Sequence, residues 1–587
     1  MFTPTSRISA ALENDAARAV LARYLPGVVN SPMLGQLRGM PIGVVVEHDT
    51  AAAADPTLRE RLFAELAAID DQGAGDPRPE EPPIPPDPAY EGADVPRASA
   101  TARFPDQCAQ WDVFEIEIAG PAHGNPFVDV DLTATFDDGE RELRAGGFYD
   151  GDGTYRIRFM PDRAAVWTFT TSSTARSLDG LTGSFVSGPP APGRHGPVRV
   201  ADGHHFRHAD GTRYLPIGTT AYAWTHQPER LRTATRRALA ESAFNKVRMC
   251  VLPKAYLYNT EDPELFPFPR CASGSGDWDT TRFDPAFFRR FEDEVLALRE
   301  LGVEADVILF HPYDRWGFAE LGRAADDRLA RYVVRRLAAF SNVWWSMANE
   351  YDLIRTRTED DWERLAALVT EEDPAGHLTS IHNCFGFYDH SRPWITHCSV
   401  QRVDVYRTAE NTDEWRKRWG KPVVIDECGY EGDIDQGWGN LTGEEMVRRF
   451  WEGAVRGGYV GHGETILNEA EELWWSKGGE LVGDSPARIA FLTEVVADSP
   501  TGVLDPLPSE WDAPRGGVAG EYELVYFGFN RPRFRNVVLP PDGRFAVDVL
   551  DTWAMTVDRV ADAASGTLRV ELPGRPYTAI RVTRVTD

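Results

Sequence analysis

The chain has 587 residues, too many for a single hydrophobic core, so several domains are expected. Its formal net charge is −29, from 91 acidic against 62 basic residues, which argues against nucleic acid and anionic membranes as partners. Hydrophobic residues at 42% and the six scattered cysteines, with no CxxC pair, describe a folded globular chain without an evident zinc site or disulfide framework. The first residues, MFTPTSRISAALENDAARAV, contain no apolar signal core, and no run of 18 apolar residues occurs anywhere. A cytoplasmic protein that does not span a membrane is therefore expected.

Residues 1–95 read as a helical segment and a linker. ISAALENDAARAVLARYL and PTLRERLFAELAAI carry Leu, Ala and Val at helical spacing. GAGDPRPEEPPIPPDPAYEGADVPR is rich enough in Pro and acid that it should run extended over a surface. Over 96–200 the period changes to two. WDVFEIEI, VDVDLTATF, TYRIRFM and AVWTFTT alternate between turn signals such as DDGE and DGDG, the pattern of a β-sandwich.

Over 201–502 strands alternate with helices. DPAFFRRFEDEVLALRELG has Asp284 as N-cap, Pro285 at the first helical position, Gly302 past the end, and Phe288, Phe291, Val295 and Leu298 as its apolar stripe. TGEEMVRRFWEGAVRGG opens with a capping box, Thr442 with Glu445. Strands are expected at 213–219, 245–251, 303–310, 342–349, 377–383, 395–401, 422–427 and 458–462. This α/β pattern is the size of a TIM (β/α)8 barrel, and a doubly wound sheet would want a glycine-rich phosphate loop that the first strand lacks. Residues 503–587 alternate again and read as a second, C-terminal β-sandwich.

Reacting groups in such a barrel sit at the C-terminal ends of the strands. SNVWWSMANEYD carries an apolar fourth strand straight into Asn349 and Glu350, and KPVVIDECGY delivers Glu427 at the end of the seventh. Asp426, by strand alternation, should point away. Two carboxyls about 5–5.5 Å apart serve a retaining glycosidase, one protonating the leaving oxygen while the other attacks the anomeric carbon. Singly, each Glu is as readily a salt-bridged strand end; paired at these two strands they point to catalysis.

The remaining strand ends supply a candidate substrate-binding set. The first gives Tyr222 and Trp224, the second Arg248 and Lys254, and the third His311, Tyr313, Asp314 and Trp316. The fifth gives His382 and Asn383, the sixth Gln401, and the eighth His462 and Glu464, followed by Trp474 and Trp475. Taken one at a time, each is as readily structural as substrate-contacting. The aromatic stretch from Pro253 to Phe283 is too long for a plain connection and reads as a pocket wall, with a subunit contact as the alternative. His204, His205 and His208 could suggest metal ligands, but they precede the first strand on the wrong side of the barrel. No metal and no cofactor are expected.

With Asn-Glu at strand four and Glu at strand seven, the sequence resembles the clan A glycoside hydrolases. The aromatic barrel mouth and flanking β-domains resemble the apiosidase-like members over about 100–587. The resemblance implies Glu350 as acid/base, Glu427 as nucleophile, and Asn349 as partner of the hydroxyl next to the anomeric centre. Gln401 stands where many clan members carry His or Tyr and follows the apiosidase-like pattern. The function expected is a retaining, exo-acting glycoside hydrolase on an oligosaccharide or glycoside. A transglycosidase sharing the intermediate and a non-catalytic carbohydrate-binding protein are the alternatives, and a homo-oligomer is left open.

Overall fold

The structure is a computed structural model. It describes residues 2–30 (less 5 and 7), 42–69 (less 50, 51, 53, 54 and 56), 82–272, 277–354, 356–402 and 408–585. The first part of the Pro-rich linker lies outside the described residues. No helix among them is long and apolar enough to cross a membrane.

The N-terminal helices, among them Asp15–Tyr24 and Leu58–Ala67, bury a core of their own around Ile8, Leu21, Leu62 and Leu66. From Thr101–Arg103 to Thr182–Gly188 eight strands form one continuous sheet. The strand Glu142–Tyr149 belongs to both halves: its first residues pair with Leu132–Asp137 and its last with Thr154–Phe159. The sheet folds over there, and the ring stacks Phe114–Phe185 and Phe136–Phe159 fill the space between its halves. Buried ion pairs tie it to the barrel: Arg158 to Glu292 at 2.9 Å and Arg336 to Asp150 at 2.9 Å.

Eight parallel strands form the barrel: Gly218–Thr220, Lys246–Cys250, Glu304–Phe310, Val343–Ala348, Thr379–Ser380, Cys398–Gln401, Val423–Glu427 and Tyr459–His462. They pair in sequence from the first to the fifth, and from the first back through the eighth and seventh to the sixth. A single bridge between His382 and Ser399 joins the fifth to the sixth. The TIM-barrel expectation holds, with two adjustments. The first strand starts at Gly218 rather than 213, because Arg213–Tyr214 pairs with His205–His208 in a three-stranded sheet instead. The fifth is only two residues long.

That small sheet plugs the N-terminal end of the barrel, with Phe206 packed on Trp344 and Tyr459. Its histidines have separate partners: His204 meets the Lys421 carbonyl, His208 the Gly196 carbonyl, and His205 the Tyr459 hydroxyl and Asp505. The helix Pro285–Glu300 starts as expected, with the Asp284 carboxylate accepting from the Ala286 N–H and the Phe–Val–Leu stripe buried. For Gly443–Val455 one half of the expected capping box forms. Thr442 accepts from the Glu445 N–H, while the Glu445 carboxylate turns to Arg448 and Arg449. From Asp505 to Arg584 a six-stranded sheet and a two-stranded ribbon enclose the C-terminal core of Phe545, Val547 and Ile580.

Candidate active site

The barrel interior is polar from its middle upward. Lys246, on the second strand, lies 2.6 Å from Asp306 and 2.8 Å from Asp426, all three buried. Asp426 thus points into the barrel, against the expectation that it would face away. Val424 below it also faces inward, and Glu427 beyond it still reaches the mouth. Strict alternation fails here because the pairing between the sixth and seventh strands shifts register between Val400 and Gln401, bringing Gln401 opposite Glu427.

Strand four ends in the same way. After Ala348 the chain leaves the ladder, and Glu350 takes up a left-handed conformation (φ 51°, ψ 55°) before the short helix Tyr351–Leu353. Such backbone costs a non-glycine residue about 1–3 kcal/mol and concentrates at functional sites. It lets Asn349 and Glu350, adjacent in sequence, both enter the mouth. Asn349 Oδ1 accepts from Arg248 at 3.2 Å and lies 3.0 Å from the Tyr222 hydroxyl, while its Nδ2 lies 3.4 Å from Glu350. Tyr222 donates its single proton to Glu427 Oε1, which Arg248 also approaches at 3.4 Å. The Tyr313 hydroxyl donates to Glu350 Oε2. A path of polar contacts therefore links the two carboxyls through Tyr222 and Asn349.

His382 holds Glu427 from the other side. Its Nε2 lies 3.3 Å from Glu427 Oε1 and 3.2 Å from Gln401 Oε1. Its Nδ1 lies 3.0 Å from Ser399 Oγ, and the Ser399 hydroxyl donates to Asp426 at 2.5 Å. Because the Ser399 proton goes to Asp426, Nδ1 must carry the hydrogen that Ser399 accepts.

The two carboxyls are pushed in opposite directions. Burial and then the charge of Glu427 raise Glu350 above the usual carboxylate range, against the Tyr313 hydrogen bond and the Lys254 charge. Burial opposes ionisation of Glu427 too, but the hydrogen bond and charge of His382, Arg248 and the Tyr222 hydroxyl outweigh it and hold Glu427 well below that range.

Of the expected set, Tyr222, Arg248, Asn349, Tyr313, His382 and Gln401 gather around the carboxyls. Lys254 and Trp475 pack against the tyrosines of this group, and the rest lie elsewhere. Trp224 is fully buried in the main core, and Trp474 is buried behind the wall, donating to Thr219 at 2.8 Å. Trp475 is the one that faces Tyr222, Tyr256 and Trp438. His462 points outward, stacked on Phe244 and bonded through Nδ1 to Thr219, because strand alternation puts Gly461 and not His462 inside. Glu464 accepts from the amides of Val482 and Gly483, and Glu431 from those of Asp484 and Ser485, so these carboxylates fasten the loop before the last barrel helix. Glu431, His462 and Glu464 bring ligand atoms within 4.8 Å of one another, the one group among the described residues with donors suited to a metal.

On the third strand, His311 lies beneath the mouth. It bonds the Leu252 carbonyl and accepts from the Tyr313 N–H, and burial pushes its pKa down to about 3. Asp314 is spent on the amides of Trp316, Gly317, Phe318 and Ala319, and so braces the turn behind Tyr313. Trp316 lies at the rim, donating to Asp262 and packed on Phe266. Asn383 is bonded to the Gln401 backbone and closes the barrel seam. The aromatic stretch after Pro253 divides: Tyr256 packs on Tyr313 at the mouth, whereas Phe268 and Trp278 form a small core with Phe283 and Phe318. Sequence reasoning missed Ser399, Tyr430, which packs on Trp475 and is influenced by the Glu427 charge, and Cys384, whose thiol is raised by burial and by Glu350. Only Cys384, next to His382–Asn383, lay within reach of a strand-end argument.

Paired carboxyls at the ends of strands four and seven, one raised and one lowered, in a (β/α)8 barrel define a site of the glycoside-hydrolase class. The model of the apiosidase-like catalytic domain matches residues 200–464, and two domain models of unknown function match residues 107–174 and 511–583. A crystal structure from Bacteroides vulgatus ATCC 8482, described as a candidate glycoside hydrolase, is 39% identical. It matches with a TM-score of 0.77, covering 82% of this chain and all of that one. A glycoside hydrolase family 5 structure from the same organism is 14% identical, with a TM-score of 0.52 over 66% of this chain and 93% of that one, a likeness of fold alone. No curated protein matches. The chain belongs to the apiosidase-like glycoside hydrolases, and it is a glycosidase.

Proposed function

We propose that the enzyme hydrolyses glycosides with retention, by double displacement, and removes one sugar at a time from a non-reducing end. In this reading Glu427 attacks the anomeric carbon as an anion while Glu350, protonated at the start, gives its proton to the leaving oxygen. Glu350 then takes a proton from water as that water displaces Glu427. Arg248, Tyr222 and His382 keep Glu427 ionised and aimed, and Asn349, whose amide nitrogen donates one N–H to Glu350, has the other for the adjacent sugar hydroxyl. The observation that carries the reading is the opposite displacement of the two carboxyl pKa values at one mouth. Exo-action is favoured by the wall of Tyr256, Tyr313, Trp438 and Trp475 around the pair.

The test is chemical rescue. With a good-leaving-group aryl glycoside, azide should restore Glu427→Gly with inverted azide product and Glu350→Gly with retained product. The opposite pattern would exchange the two roles, and no rescue in either would remove the double displacement. Early mid-length fragments without free monosaccharide, in a time course on a labelled oligosaccharide, would refute exo-action. A product glycosylated on an added alcohol in preference to water would make the enzyme a transglycosidase.

A further inference from the structure

Lys254, four residues beyond the second strand, is 4% exposed, and burial pulls its pKa below the usual lysine value. Its Nζ lies 3.6 Å from the centre of the Tyr222 ring, 4.6 Å from Tyr313, 4.7 Å from Trp475 and 5.6 Å from Tyr256. No hydrogen-bond acceptor or carboxylate pairs with this ammonium among the described residues. Two of its ring neighbours are the ones whose hydroxyls hold the carboxyls, Tyr222 on Glu427 and Tyr313 on Glu350. The ammonium therefore sits among the rings whose hydroxyls reach the two carboxyls, and the charges of both Glu350 and Glu427 act on it.

A buried charge without a partner is costly, and the faces of aromatic rings recover part of that cost without using any N–H. The deeper Lys246 makes the contrast: it is ion-paired with two carboxylates, Asp306 and Asp426. Lys254 keeps three donors with no acceptor on the protein side, which is the arrangement of a group completed by its ligand.

We propose that Lys254 is a substrate-binding residue that donates to hydroxyl oxygen of the sugar bound between Glu350 and Glu427. This rests on those two residues marking the reaction centre. The ring faces already supply negative potential, so what the ammonium lacks is acceptors, and a neutral polyhydroxylated ring supplies them. The residue then selects for a hydroxyl at one ring position.

The probe is the aryl glycoside turned over fastest by the wild type, together with its monodeoxy analogues. Lys254→Met should lower kcat/KM about 10–100-fold on the parent glycoside, the size of a charged hydrogen bond. The loss should shrink to near unity on one monodeoxy analogue, and Lys254→Arg should restore part of the activity. Because the Lys254 charge lowers the Glu350 pKa, the basic limb of the pH profile should move upward in the methionine variant. An equal loss on every analogue, or no loss at all, would overturn the proposal. A parallel series on glycosides bearing a ring carboxylate must show weaker dependence on Lys254 than the parent; a stronger one would mean the ammonium pairs with an anion and would also overturn it. Glu350→Gln and Glu427→Gln are assayed alongside with thermal melts. If they stay active, the reaction centre was misassigned, whereas a position-specific Lys254 effect with both inactive supports the proposal alone.

Discussion

Two layers of charge lie one above the other inside the barrel, and they are built on opposite terms. In the lower layer one ammonium, Lys246, is shared by Asp306 and Asp426, and its charge with that of Arg248 holds Asp426 below the usual carboxylate range although burial opposes this. In the upper layer Glu350 is raised, Glu427 is lowered, and Lys254 has ring faces where a counter-ion would stand. The lower layer is complete without a ligand, so it stabilises the fold. The upper layer is left electrostatically unfinished, and that imbalance is what the proposed double displacement would use, one acid to donate a proton and the other to attack.

The largest effects should come from removing the upper carboxyls. Glu350→Gln should cut turnover roughly 10²–10⁴-fold, and Glu427→Gln at least as much, while thermal melts show neither variant unfolded. A large loss of stability with only modest loss of turnover would erase the distinction between the layers. Lys246→Met should do the reverse. It leaves two carboxylates buried without their partner, a loss of about 3–5 kcal/mol, read by denaturant unfolding; a variant as stable as the wild type would mean the lower layer is not an ion-pair network.

The pH profile of kcat/KM sharpens the comparison. The proposed mechanism needs Glu427 ionised and Glu350 protonated, so the acid limb should follow Glu427 and the basic limb Glu350. With Glu427 lowered and Glu350 raised, the plateau should be wider than two ordinary glutamates would give. Tyr313→Phe removes a donor that favours the Glu350 anion, so the basic limb should move to higher pH. A shift to lower pH would contradict the assignment. The smallest effect is expected from Asp314→Ala, which frees the amides of residues 316–319 and should cost about 1 kcal/mol, visible as a lower melting temperature with the pH limbs unmoved.

Much of the fold was legible because the hydrophobic period changes with each domain and because strand, cap and turn signals are local. The helix from Pro285 needed only Asp284, the proline and its apolar stripe. The site was legible where an apolar strand ran into a carboxylate. It was not legible where a residue's direction depended on the barrel around it. Trp474 and Trp475 are neighbours of one kind, yet one is behind the wall and the other at the mouth. His462 follows the period-two rule outward, onto Phe244, since the eighth strand is still in the ladder there.

By itself, then, the sequence determined that the barrel exists and that Glu350 and Glu427 fall at the ends of its fourth and seventh strands. Only the tertiary structure decided which way their neighbours face. Strand alternation is a consequence of the ladder, and it lapses where the ladder does: at the left-handed Glu350, which lets Asn349 and Glu350 share the mouth, and at the Val400–Gln401 register shift, beside which Asp426 and Glu427 both turn inward. The opposite displacement of the two carboxyl pKa values was likewise a tertiary property, since burial acts on both and His382, Arg248 and Tyr222 reach them from three other strands or strand ends.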